Sequence, residues 1–312
     1  MKKSVVKNGY VFEIQEVEND NGQIVRRYEK GGQKNQRSAG IEEAKALLLA
    51  MGLDEKIINS LPEEKLLCVA GSNFVQSAES YIKTGKDNSV VYLDKETALQ
   101  EASQVKKQQD VYIENLLQGI SPLEEWEASN GYIRLHYVVL YLGNAKYAFM
   151  NSATWLTAPI NRGWDSIGAC AMGSTVDNSA RWGEYSCDML VSQNGIVTTT
   201  TIKPGVQKYQ NAVNGNWYGS ALVFLLPANV VNSNEIRIYN NFSATYWYSG
   251  YREYPGLESY FNTTGTYDHA YIGINFNPNV SISLNGTSTC IGLAPALVEK
   301  NWSIEFLVHY VP

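Results

Sequence analysis

Charge and aromaticity change places near residue 120, and this exchange limits the folds open to the chain. Of the 312 residues, the first 120 hold 16 Lys/Arg and 18 Asp/Glu but only 7 of the 36 aromatic side chains. The remaining 192 hold 9 Lys/Arg, 13 Asp/Glu and 29 aromatics, including every Trp and every His. Surfaces so different predict two units. The expected division is a charged α+β module over 1–118, a linker over 119–130, and an aromatic-rich β unit over 131–312. Gly119, Pro122 and Asn130-Gly131 interrupt regular structure around that linker.

The first part alternates hairpin and helix signals. Two strand-like runs flank Asn21-Gly22, a dipeptide suited to a tight turn. Ile41, Ala44, Leu48 and Met51 recur at helical spacing, and Gly52 can stop that helix. Asp54 is a candidate N-cap, Pro62 suits a first helical turn, and Gly71 suits a helix end. Residues 79–93 predict a second hairpin, with Asp94 capping a further helix. The order hairpin, helices, hairpin, helix has the form of a degenerate internal repeat of about 70 residues. Leu61–Ser72 resembles the end of a double-glycine bacteriocin leader, with Ala70-Gly71 as the small-residue pair. The resemblance covers twelve residues only, and a helix ending in glycine accounts for the same letters.

The second part predicts about nine to eleven strands and no helical period, which fits an antiparallel β-sandwich or jelly roll. Trp302, Ile304, Phe306, Val308 and Tyr310 alternate with polar residues, so the C-terminal segment should lie in a sheet. Thr198–Thr201 predict an edge strand. Their eight-residue tract is short of the roughly 9–11 residues that a membrane-crossing strand needs.

Catalytic motifs are scarce. GxSxG, HExxH, GxxxxGK[ST] and GxGxxG are all missing from the chain. Asp268 and His269 are adjacent, so on a strand they face opposite ways and cannot act as an oriented pair. The acids Asp165, Glu184, Asp188, Glu253 and Glu258 are scattered, and neither a metal centre nor a carboxylate pair is marked out. No cofactor, metal site or catalytic residue is expected. Cys68, Cys170, Cys187 and Cys290 have no CxxC spacing; a Cys170–Cys187 bridge depends on geometry alone. A net charge of -6 gives no support for nucleic-acid binding.

The strongest binding signal is Tyr246, Trp247, Tyr248, Tyr251 and Tyr254. On a strand, Trp247 and Tyr251 share one face while Tyr246 and Tyr248 share the other. If either face is open, it offers flat aromatics to a protein or a glycan. The charge-poor β unit also lacks the usual guard against self-association. The expectation is therefore a non-enzymatic structural or binding protein, forming a homo-oligomer or larger assembly. The alternatives are a pore-forming, membrane-acting toxin with residues 1–120 as a pro-region, and a carbohydrate-binding or carbohydrate-active protein. A membrane partner enters only with the toxin. Lys2 and Lys3 precede no apolar stretch of signal-peptide type, so the expected site of synthesis and residence is the cytoplasm, with later deposit, release or surface location open.

Overall fold

The computed structural model describes residues 1–20, 22–30, 40–85, 90–118, 130–159, 162–193, 196–203, 207–232, 235–252, 260–270, 279–285, 288–294 and 298–309. The chain begins with strands β1 (Lys2–Lys7), β2 (Tyr10–Glu18) and β3 (Ile24–Glu29). Helices α1 (Ile41–Ala50), α2 (Glu55–Ser60) and α3 (Glu63–Gly71) follow, then β4 (Phe74–Gly85), β5 (Val90–Leu93) and helix α4 (Lys95–Leu117). The second part holds β6 (Asn130–Gly143), β7 (Lys146–Trp155), β8 (Trp164–Met172), β9 (Asp177–Gln193), β10 (Ile196–Ile202), β11 (Gln207–Asn214), β12 (Trp217–Leu225) and β13 (Val230–Val231). It ends with β14 (Ile236–Tyr251), β15 (Tyr260–Ala270), β16 (Asn279–Asn285), β17 (Ser288–Ala294) and β18 (Val298–His309).

Two antiparallel sheets face each other. The larger runs β1-β2-β3-β4-β6-β7-β14-β9-β10, and the smaller runs β11-β12-β8-β15-β18. This is a β-sandwich with helices added in the first part. Between the sheets lies an aromatic core that includes Tyr137, Phe149, Tyr185, Phe224, Tyr248 and Tyr267. Gly265 permits the closest approach, since a Cβ there would stand 2.6 Å from Cγ of Tyr137. Helices α1–α3 pack on the other face of the larger sheet, where Leu47, Leu48 and Ile58 meet Val75, Val138 and Trp247. Covered on both sides, β6 reads as a nearly continuous apolar run instead of an alternation.

Helix α4 crosses the same outer face. Its Asp94 cap accepts a hydrogen bond from Thr97 N at 2.9 Å, Glu101 accepts from Lys83 and from the Tyr132 hydroxyl, both at 2.7 Å, and the Leu117 carbonyl accepts from Ser192 Oγ. The β16–β17 hairpin covers the outer face of the smaller sheet, with Ile282 and Ile291 against Cys170 and Ala221.

Several local expectations change. The segment before residue 10 forms β1, turned into β2 by Asn8 and Gly9 at φ 49° and 82°. Asp54 precedes α2, but its carboxylate bonds Arg134 and caps nothing. The double-glycine-like segment is helix α3, which leads directly into the central strand β4. Cys170 and Cys187 do not bridge to each other, because they belong to clusters on different faces.

The larger sheet crosses the compositional boundary. Strand β4 pairs with β6 from Phe74↔Tyr141 to Gly85↔Asn130. Apart from Asn130, the expected linker lies outside the described residues. A protease site inserted within 119–130 and then cut should yield two fragments that co-elute on a sizing column, held by the β4–β6 ladder. A folded 131–312 fragment free of its partner would instead make the two parts independent units.

The ladder also carries a buried ionic node. Glu79 on β4 is fully buried and accepts from Arg26 Nη1 at 2.7 Å and from the Tyr81 hydroxyl at 2.6 Å; Arg134 Nη2 lies 2.8 Å away. Gly52, at φ 95°, presents its carbonyl to Arg134.

Candidate functional site

The aromatic strip does not form one surface. Tyr246 and Tyr248 point into the sandwich core, and Trp247 points the other way, under α3, with Lys65 Nζ 5.9 Å from its ring. All three are at most 1% exposed. Strand β14 lies between two covering layers, so both of its faces are buried here. Tyr251, at the strand end, is 47% exposed, and Lys146 sits over its ring. Tyr254 lies outside the described residues.

His269 does have an aspartate, from another strand. Register sets His269 on β15 opposite Asp165 on β8, with Nδ1 2.8 Å from Oδ1. The Tyr267 hydroxyl donates to the other Asp165 oxygen, and Trp155 Nε1 donates to the Tyr267 oxygen at 3.0 Å. Burial, first, and the neighbouring Asp165 push the Tyr267 hydroxyl well above its ordinary pKa. Asp165 is fully buried and His269 is 3% exposed. This chain can fix the imidazole and join the sheets, but it presents no open face to a substrate. Asp268 faces away, on the side of the smaller sheet covered by β17.

Polar side chains converge instead on the outer face of the larger sheet. There the helical layer leaves β14, β9 and β10 partly uncovered. A groove of about 530 Å³ lies between α2 and α4, with Thr154, Asp188, Asn241 and Ser243 on its floor and Lys56 and Lys106 at its sides. Beside it lies a smaller hollow of about 110 Å³, reached past Ser243 toward Thr201, Lys203 and Glu184.

A bulge makes this floor. Between Asn240↔Asp188 and Ser243↔Ser186, β14 advances three residues against two on β9. The extra residue lets Tyr239 and Phe242 both face the sandwich core. It also places Asn241 on the groove side at φ 51°, a left-handed conformation that asparagine tolerates. Asn241 Nδ2 donates to Asp188 Oδ2 at 2.9 Å, Thr201 Oγ1 donates to Asp188 Oδ1 at 2.6 Å, and Lys106 Nζ donates to Asn241 Oδ1 at 3.1 Å. Burial raises the Asp188 pKa, yet these two hydrogen bonds, with Lys56 and Lys106, hold the carboxyl below its ordinary value. Asp188 and Glu184 were visible as acids of the β part. Asn241, Lys56 and Lys106 were not foreseen; only the Asn240-Asn241 pair inside a strand pattern hinted at a bulge.

The groove ends at β10, the last strand of the larger sheet. Ile196 through Thr201 are exposed, as the edge-strand reading predicts. Among the described residues, no group of three or more His, Cys, Asp or Glu side chains is placed to hold a metal ion. None of the described helices is long and apolar enough to cross a membrane, which says nothing of crossing by strands.

No family model matches the chain, and no curated protein matches its sequence. Solved structures similar to part of it include two of low identity. One is ACE19, the collagen-binding subdomain of the Enterococcus faecalis surface protein ACE, with a TM-score of 0.22 and 10% identity, covering 54% of this chain and 89% of that one. The other is AvmM, which catalyzes macrocyclization in alchivemycin A biosynthesis, with a TM-score of 0.20 and 6% identity, covering 54% and 82%. Likenesses this weak carry neither a ligand nor an activity across to this chain.

Proposed function

We propose that this protein works by binding rather than catalysis, and that it self-associates edge to edge through β10. The observation that carries this reading is the chemistry of the edge. Among the described strands, the main runs of the two sheets end at β1, β10, β11 and β18, and the short β5 and β13 pair β4 and β14 off those runs. Strand β1 contains Lys2, Lys3 and Lys7, β11 contains Lys208, and β18 contains Glu299, Lys300 and Glu305. Charged residues on an edge discourage pairing with another chain. Strand β10, Ile-Val-Thr-Thr-Thr-Thr-Ile, has none over seven residues; β5 and β13 are uncharged too, but only four and two residues long. Its Ile196 is 68% exposed and its Val197 47%.

The occupant that fits is the same strand of a second copy. Antiparallel pairing about Thr199 sets Ile196 against Ile202 of the second copy, and Thr198 against its Thr200. No like charges oppose one another. Thr–Thr and β-branched pairs contribute roughly 0.2–1 kcal/mol each. The pairing is isologous, so it closes as a dimer. This moves the interface from the aromatic strip to the sheet edge.

Sedimentation of the unmodified protein should show a concentration-dependent dimer. Thr199→Lys sets two ammonium groups across the symmetry axis and should weaken association roughly tenfold or more, equivalent to about 1.4 kcal/mol. The thermal midpoint should stay near that of the unmodified protein, because Thr199 is exposed. A monomer at high concentration, or a dimer indifferent to Thr199→Lys, would refute the reading.

A further inference from the structure

We infer that the groove between α2 and α4 is a binding site for a neutral, hydroxyl-rich ligand of the oligosaccharide class. Its volume lies in the range of small-molecule sites, roughly 300–1,000 Å³. Its polar groups are already arranged: Lys106, Asn241, Asp188 and Thr201 form one hydrogen-bonded row. Little conformational entropy is then lost in presenting that row to a ligand. The row offers donors and acceptors side by side, the pattern that neighbouring hydroxyls of a sugar ring require.

Charge decides against the other polar ligands. Across the groove and the adjoining hollow, Lys56, Lys106 and Lys203 stand against Glu55, Asp188 and Glu184, while Asp54 is engaged by Arg134. Three positive and three negative groups attract neither a polyanion nor a polycation. A wholly apolar ligand would strip water from Asp188 and Asn241 without replacing their hydrogen bonds, a cost of about 1–3 kcal/mol per group. Ile57, Trp155 and Leu156 also line the groove, and the half-buried Leu156 offers an apolar surface against which the C–H face of a sugar can lie.

Thr201 belongs to β10, so the site adjoins the proposed dimer edge and is tested in the Thr199→Lys background, where that edge is unpaired. The probes are maltotriose, cellotriose and triacetylchitotriose, with a heparin hexasaccharide as the polyanionic control, measured by titration calorimetry or ligand-observed NMR. At least one neutral trisaccharide should bind. Asn241→Gly should weaken it tenfold or more with no loss of thermal midpoint, because glycine accepts φ 51°. Asp188→Asn, which keeps the shape and removes the charge, should also weaken it. The proposal is overturned if no neutral probe binds, if only heparin binds, or if binding survives both substitutions.

Discussion

Glu79→Ala should destabilise the folded protein by about 3–5 kcal/mol, the usual cost of removing one partner from a buried ion pair. The Glu79 side chain is fully buried and serves two guanidiniums, Arg26 at 2.7 Å and Arg134 at 2.8 Å. Burial opposes its charge, but Arg134, His136, the Tyr81 hydroxyl and Arg26 together pull its pKa down to about 2. Without the carboxylate, two guanidiniums with side chains only 10–11% exposed would share a site they can no longer neutralise. Each keeps one partner nearer the surface, Glu16 for Arg26 and Asp54 for Arg134. That places the loss toward the lower part of the range. Glu79→Gln preserves the shape and should cost less than alanine. Urea unfolding measures both variants. A loss below about 1 kcal/mol for alanine would show that the node stabilises little, as some buried ion pairs do.

The node also explains why the compositional boundary is not a break in the fold. Arg26 and Glu79 come from the charged part of the chain, and Arg134 comes from the aromatic part. Composition distinguishes the two parts of the chain, but the hydrogen bonding that joins β4 to β6 is not a property of composition. Glu79→Ala should therefore also loosen the two fragments of the cut protein.

What could be read from the letters was local. Gly22, Asp94 and the alternation around Ile304 and Val308 each encode a short-range preference, and each found its turn, cap or strand. Asn8-Gly9 was an equally plain turn signal that went unused, and β1 was missed with it. The two-sheet arrangement was legible because strand periods repeat along the second part. The groove was not, because it depends on pairing between segments distant in sequence. Asn241 meets Asp188 and Lys106 only once β14, β9 and α4 are assembled. The same limit hid Asp165 as the partner of His269, since adjacency suggested only Asp268. Aromatic richness misled for a physical reason: a strand covered on both faces buries large side chains on both, and β14 is such a strand.

Acid should weaken the fold from about pH 6 downward, well before carboxylates ordinarily titrate. The group responsible is His136, whose ring is 2% exposed on β6, directly across the ladder from Glu79. Burial lowers its pKa most, and Arg134 and Arg26 lower it further; Glu79 and the Met51 carbonyl pull the other way, and the outcome is about 3. In the unfolded chain the same imidazole takes a proton near its ordinary value of 6.5. Between those values the unfolded state binds a proton that the folded state refuses. Stability is therefore intact above pH 6.5 and falls by about 1.4 kcal/mol per pH unit as the pH drops toward 3. Glu79 acts in the same direction over a lower window, from its ordinary 4.5 down to about 2. The slope should steepen below about pH 4.5, where both groups contribute. Urea midpoints at pH 7.5, 6, 5 and 4 trace the curve. His136→Gln should flatten it between pH 6.5 and 5 while leaving the steeper fall below pH 4.5. A flat profile between pH 6.5 and 5 in the unmodified protein would mean that the folded node accepts a third positive charge beside Arg26 and Arg134.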